Sequence, residues 1–382
     1  MNKKLCENDL LTACTNRDTC LLADCLSQDM KVNKRLPNGF TPIIVCCQND
    51  FCEAIPLLCE KGVILDQGCN DTTALLEAVS NNDFTTVRVL LEYGASSGVG
   101  TKTNLRPLML AARLGFLECI RVLLEGGASV NLTDKYHWTA LHEAAQAGHA
   151  ECIRLLLSHG ADPLAGTKEH YGKDHPLSLK GFTPLHLASR GGHLEAVKVL
   201  LEYTPVDILA KGKETPLMFS GEIGNEETVA LLLSTGANLE AVSRFGTTPL
   251  VGAVLRGDLD IIRLLLESGA DPNTSYEDMG TPLVNAITPI APPDNRNKIA
   301  IIELLLEFGA DINLPSTETG DTALHQAVCA RDKQLLMFLL EHGARYGARN
   351  CNRTEVDVAR ITGQDELVEL MLKSGPRTDM AV

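Results

Sequence analysis

Apolar positions in this chain fall into pairs of unequal segments. The longer segments, such as LECIRVLLE, AECIRLLLS and LDIIRLLLE, carry Leu, Ile and Val at helical spacing and predict an amphipathic helix. A shorter segment of small residues precedes each one, as at Ala111-Ala112 and Ala144-Ala145, and predicts a first helix. A threonine followed by Pro or Ala opens the short segment, which suits an N-cap and a first helical position. Gly115, Gly148, Gly192, Gly224 or Gly257 separates the two helices. The longer segment ends on a glycine 21 residues after the threonine, at Gly62, Gly94, Gly127, Gly160, Gly236, Gly269, Gly343 and Gly375, where a left-handed cap is needed. Thr204 breaks that rule. The stretch up to the next threonine, Ala270 to Gly280 for example, is rich in Asp, Asn, Gly and Pro and predicts an extended finger-like turn.

The opening positions are Thr41, Thr73, Arg106, Thr139, Thr183, Thr215, Thr248, Thr281 and Thr322, which are 32 or 33 residues apart except for two longer steps of 44 and 41. Degraded copies stand at Asn8-Asp9-Leu10 and Thr354-Glu355-Val356, so the chain contains eleven copies. One copy cannot bury its apolar stripe alone, but stacked neighbours can. The segments Thr183 to Glu202 (TPLHLASRGGHLEAVKVLLE) and Thr139 to Pro163 (TALHEAAQAGHAECIRLLLSHGADP) resemble the ankyrin repeat family. That resemblance implies an all-α, right-handed, curved solenoid, with fingers and first helices lining a concave face. The whole of 1–382 then reads as a single array. Its parts are a degenerate N-terminal capping repeat over 1–39, central repeats over 40–353, a C-terminal capping repeat over 354–375 and a tail over 376–382. Insertions interrupt the central repeats near 164–178 and 288–297.

Charge narrows the function. With 34 Lys+Arg against 49 Asp+Glu the chain carries a formal charge of -15, the wrong sign for non-specific attraction to nucleic acid. No apolar run reaches the length of a membrane span, and Glu7 and Asp9 interrupt the start before a signal-peptide core could form. Thirteen cysteines in 382 residues are too few for a disulfide scaffold, and none form a CxxC pair. Reduced thiols in cytoplasm, with the nucleus as an alternative, are the expected state.

Candidate chemistry is sparse. His142, His186 and His325 share one helical position in separate copies, which reads as structure rather than as a metal site. Cys6 to Cys69 hold nine of the thirteen cysteines. Cys14, Cys46 and Cys47 take small-residue positions, Cys25 and Cys59 take leucine positions, and Cys69 and Cys351 fall in fingers, where exposed thiols are expected. No paired carboxylates, phosphate-binding loop or nucleophile constellation stands apart from the repeat pattern, so the chain is expected to be non-catalytic, with no cofactor and no small-molecule substrate.

The recognition surface implied by the resemblance is the finger positions and first-helix ends: Lys102, Arg113, Lys135, Tyr136, Trp138, Lys180, Phe182, Arg190, Lys211, Lys213, Arg244 and Arg256, with Leu105, Gln146 and Phe245 beside them. In an acidic protein this face is basic. Tyr136, Trp138 and Phe182 are expected as apolar anchors and the cations as partners for carboxylates. The first insertion adds His170 and Tyr171 beside the groove. The function expected is a scaffold or adaptor that binds a protein or peptide with an acidic segment. The alternative is a substrate-recognition subunit of a ubiquitin ligase that lacks a C-terminal recruiting box. The resemblance also marks Asn131, Asn273 and Asn313 as finger asparagines of the kind that asparaginyl hydroxylases modify.

Overall fold

The computed structural model describes residues 5–28, 30–168, 180–220, 225–276, 280–287, 298–317, 319–350 and 353–374. Among them, twenty-two helices form eleven antiparallel pairs. The first helices include Glu7–Asn16, Pro42–Gln48, Ala74–Ser80, Pro107–Leu114, Ala140–Ala147, Pro184–Arg190, Pro249–Arg256 and Glu355–Ile361. Their partners include Thr19–Ser27, Ala54–Glu60, Leu117–Glu125, Ala150–Ser158, Leu194–Leu201, Leu259–Glu267 and Asp365–Ser374. The strands among the described residues are Arg349–Asn350 and Arg353–Thr354, paired antiparallel.

Local chemistry accounts for the helix ends. The hydroxyls of Thr73, Thr139, Thr248 and Thr354 accept the third helical amide of their own helices. Where the third residue is histidine the cap is reciprocal: in the fifth repeat, Thr139 N–H donates to Nδ1 of His142 at 3.2 Å. Second helices gain caps that the glycine pattern does not announce, because Asp18, Asp83, Asn225, Asp258 and Asp332 each accept an amide at the helix start. Gly62, Gly94, Gly127, Gly160, Gly236, Gly269 and Gly343 all have positive φ, as left-handed caps do. Thr204 ends its helix differently. Its hydroxyl donates to the Leu200 carbonyl at 2.8 Å, and Pro205 follows.

The chain divides there into two compact units, Met1–Thr204 and Pro205–Val382. Within each, consecutive repeats pack first helix on first helix and second on second, so the Leu, Ile and Val stripes meet across repeat boundaries. Asparagines of the fingers tie neighbours together. Asn131 donates through Nδ2 to the Gly160 carbonyl at 2.9 Å and accepts the Asp162 amide at 2.9 Å. Asn33, Asn273 and Asn313 make the same two bonds to the repeat that follows each of them.

Candidate functional site

Four of the central fingers are five-residue turns closed by one backbone bond, and the finger from Thr167 to Phe182 has the same closure around its insertion. Thr101, Asp134, Thr167, Ala210 and Ser243 donate their amides to the carbonyls of Leu105, Trp138, Phe182, Glu214 and Thr247, at 2.9 to 3.0 Å. Short polar side chains brace the turn from inside. Asp134 Oδ1 accepts the amides of Tyr136 at 2.7 Å and Trp138 at 2.8 Å, and Ser243 Oγ accepts those of Phe245 and Thr247 at 3.2 Å. The residue before the last of each turn is left-handed: Asn104, His137, Gly181, Lys213 and Gly246 have φ between 62° and 74°. Lys213 is a long side chain in a conformation that favours glycine, and its fit there rests on the closed turn around it.

Backbone bonds also join finger to finger. The Lys135 amide donates to the Thr103 carbonyl at 3.3 Å, Lys168 to Tyr136 at 2.9 Å, and Arg244 to Gly212 at 2.6 Å. These bonds fix the register of the bonded fingers within each compact unit. The second position of the turn is Lys102, Lys135, Lys168, Lys211 and Arg244 in the fingers of repeats three to seven, and all five side chains are exposed. Among the described residues none of the five forms an ion pair. The Lys135 ammonium lies 4.6 Å from the Tyr136 ring centre, and the Arg244 guanidinium 5.8 Å from that of Phe245, which is 65% exposed.

Lys168 was hidden in the sequence because the insertion begins directly after it, which makes it read as part of the insertion. The signal was present: Thr167-Lys168 repeats Thr101-Lys102. Lys211, Lys213 and Arg256 are exposed, Tyr136, Lys180 and Arg190 half-buried. His170 and Tyr171 lie outside the described residues.

Trp138 and Phe182 do not form exposed anchors. Each is 2% exposed, because the residue just before the capping threonine turns into the stack. Their rings lie against His142, at 5.9 Å between ring centres, and His186, at 5.2 Å. Arg113 is committed as well. Its Nε and a terminal nitrogen bind both carboxylate oxygens of Glu143 in the next repeat, at 2.8 and 2.6 Å. Glu143 is 4% exposed, and burial raises its pKa while Arg113 opposes the rise.

The histidines are structural. His142 sits wholly buried between the Thr139 hydroxyl on Nδ1, at 2.8 Å, and the Phe182 carbonyl on Nε2, at 3.1 Å, and burial lowers its pKa to about 4. A neutral ring protonated on Nε2 satisfies both contacts. In the tenth repeat Nδ1 of His325 accepts the Thr322 amide at 3.3 Å, and the Thr322 hydroxyl donates to Glu355, which is 0% exposed.

The cysteines follow burial more closely than expected from sequence. Cys69 is 1% exposed, not a surface thiol, because its backbone pairs with Thr72 and turns the side chain inward. Burial raises the thiols of Cys25, Cys119 and Cys152 to about 11. Cys46 is raised through its hydrogen bond with Cys14 and through burial. Cys351 lies outside the described residues. Among those described, no group of three or more His, Cys, Asp or Glu is placed to hold a metal ion, and no helix is long and apolar enough to cross a membrane.

Comparison with known proteins agrees with the fold. The family model for ankyrin repeats (3 copies) matches residues 10–99, 95–167, 164–241, 204–276 and 291–381. Among curated proteins, the chain is 30% identical over 172 residues to the mitochondrial disaggregase of Bos taurus, covering 42% of this chain and 23% of that protein. It is 38% identical over 66 residues to cyclin-dependent kinase 4 inhibitor B of Rattus norvegicus, covering 17% of this chain and 50% of that protein. It is 37% identical over 91 residues to the E3 ubiquitin-protein ligase KEG of Arabidopsis thaliana, covering 23% of this chain and 6% of that protein. The chain thus spans a quarter or less of the first relatives it matches. The solved human ASB11 ankyrin repeat domain superposes with a TM-score of 0.52 at 24% identity, over 63% of this chain and 99% of that one, a likeness of fold. The repeat pattern, the helix pairs and these matches agree: the chain belongs to the ankyrin repeat family, whose arrays are scaffolds for binding other proteins.

Proposed function

We propose that the chain is a non-catalytic scaffold that binds an acidic segment of a partner protein along its finger tips. The observation that carries this reading is the recurrence of an exposed cation at one turn position in five consecutive fingers, in a protein of net charge -15. Lys102, Lys135 and Lys168 serve in the first compact unit, and Lys211 and Arg244 in the second. Half-buried Tyr136 and exposed Phe245 supply apolar contact beside them. Long-range attraction steers an acidic partner to the fingers, and charge-assisted hydrogen bonds hold it. The substrate-recognition alternative has a short match to a plant ubiquitin ligase on its side, which is too small a share of that protein to carry its activity over.

The test measures binding of a captured partner to the full chain and to its Lys102→Glu, Lys135→Glu, Lys168→Glu variant, with circular dichroism as the control for folding. Reversal should weaken binding at least about tenfold, since each exposed pair contributes about 0.2 to 1 kcal/mol and reversal adds repulsion. Wild-type affinity should also fall as ionic strength rises from about 0.1 to 1 M and the screening length shrinks from about 10 to 3 Å. Unchanged affinity in the folded variant would overturn the reading.

A further inference from the structure

The finger-to-finger bonds set a spacing that a partner has to meet. Each finger contributes a rising and a falling backbone segment to the zipped row, because the falling segment of one (Thr103, Tyr136) accepts from the rising segment of the next (Lys135, Lys168). Extended backbone segments joined by such bonds lie about 4.8 Å apart, so the backbones of equivalent residues in successive fingers are about 9.6 Å apart. Lys102, Lys135 and Lys168 thus form a row of three exposed cations at that interval, all within the first compact unit. The Asp134 carboxylate is turned inward onto the amides of Tyr136 and Trp138, and Asp71 accepts the Lys102 amide at 2.6 Å.

Peptide conformations differ in how they match such a row. In a β-strand, successive side chains point to opposite faces, so residues three apart cannot both face the fingers. A helix brings residues seven apart back to one face, but about 10.5 Å on, so across three fingers it falls about 2 Å out of step with the row. Polyproline II has three residues per turn and rises about 3.1 Å per residue, so every third side chain lies on one face about 9.3 Å from the last. That interval fits the cations within the reach of a lysine side chain.

On the basis of the binding role proposed above, we infer that the row formed by Lys102, Lys135 and Lys168 recognises a polyproline II segment with an acidic residue at every third position. The segment lies along the fingers, with one carboxylate to each lysine. Its conformation is already favoured before binding, so little ordering entropy is lost.

The test uses the full chain and three acetylated peptides of identical composition. One is a run of four Glu-Pro-Pro triplets, a second has the glutamates at alternating intervals of two and four, and a third has them in one block. The triplet peptide should bind about tenfold more tightly than the second, and Lys135→Ala, at the middle of the row, should remove that preference. If all three acidic peptides bind equally with strong salt dependence, the spacing inference falls while the acidic-partner reading stands. If none binds, both fall. Tighter binding of single-stranded DNA or heparin than of the triplet peptide would overturn the inference in favour of a surface that reads phosphate or sulfate density.

Discussion

His142 shows how one side chain links a repeat to the finger beyond it, and the contact makes stability depend on pH. In an unfolded chain the ring takes up a proton near pH 6.5, but in the fold only near pH 4, because burial penalises the charged form. Between those values protons favour the unfolded chain, so stability falls as pH drops from 6.5 to 4 and is untouched above that window. Its share is about 3 kcal/mol. The denaturation midpoint of His142→Gln should vary less with pH across this interval than that of wild type, as urea titrations at a series of pH values will show. Arg113 and Glu143 make a second residue-scale case. In Arg113→Met a buried carboxylate loses both of its charged donors, for a loss of about 2 kcal/mol, while the Arg113→Met, Glu143→Met double variant should recover part of it. A double-mutant cycle by chemical denaturation measures the coupling. Neither contact could be read beforehand: Arg113 and Glu143 are 30 positions apart, and Trp138 and Phe182 are buried by contacts beyond their own turn. What the finger pattern did reveal was backbone register, which made Lys102, Lys135, Lys211 and Arg244 legible, whereas side-chain burial depends on the neighbouring repeat.

At the scale of elements, the short helices depend on what lies across their ends. Gly148 closes the first helix of the fifth repeat with φ at +77°, and a Cβ there would come 2.5 Å from Nδ1 of His193 in the next repeat. That ring bonds through Nε2 to the Gln146 carbonyl at 2.9 Å, so one glycine serves both a left-handed turn and an inter-repeat bond. Gly148→Ala should therefore cost more than the about 1 to 2 kcal/mol of left-handed strain alone, whereas Gly160→Ala, with nothing within 4 Å, should cost only the strain. Thermal denaturation of the two variants side by side separates the terms. Helix order and most helix boundaries were legible because caps and breakers are local signals. The aspartate caps on second helices were less so, since an Asp in a polar turn has many other uses.

At the scale of the molecule, the chain passes from one compact unit to the other at the helix end where glycine is replaced by Thr204. Repeat arrays take their stability from nearest-neighbour packing, so a cut between units leaves every pairing inside each one intact. Residues 1–204 expressed alone should give a helical circular dichroism spectrum and a cooperative melt. An unfolded fragment would show that the first unit depends on the second. The same nearest-neighbour rule makes terminal repeats the first to open, and the arrangement of cysteines gives that process a chemical readout. Cys14, Cys25, Cys46 and Cys47 are sealed inside the first two repeats, and Cys119 and Cys152 inside the fourth and fifth, while Cys6 and Cys20 are exposed. A buried thiol reacts with an alkylating reagent only when its own repeat comes apart, so the order in which these sulfurs become alkylated is a clock for unravelling from the amino end, built from the native side chains alone.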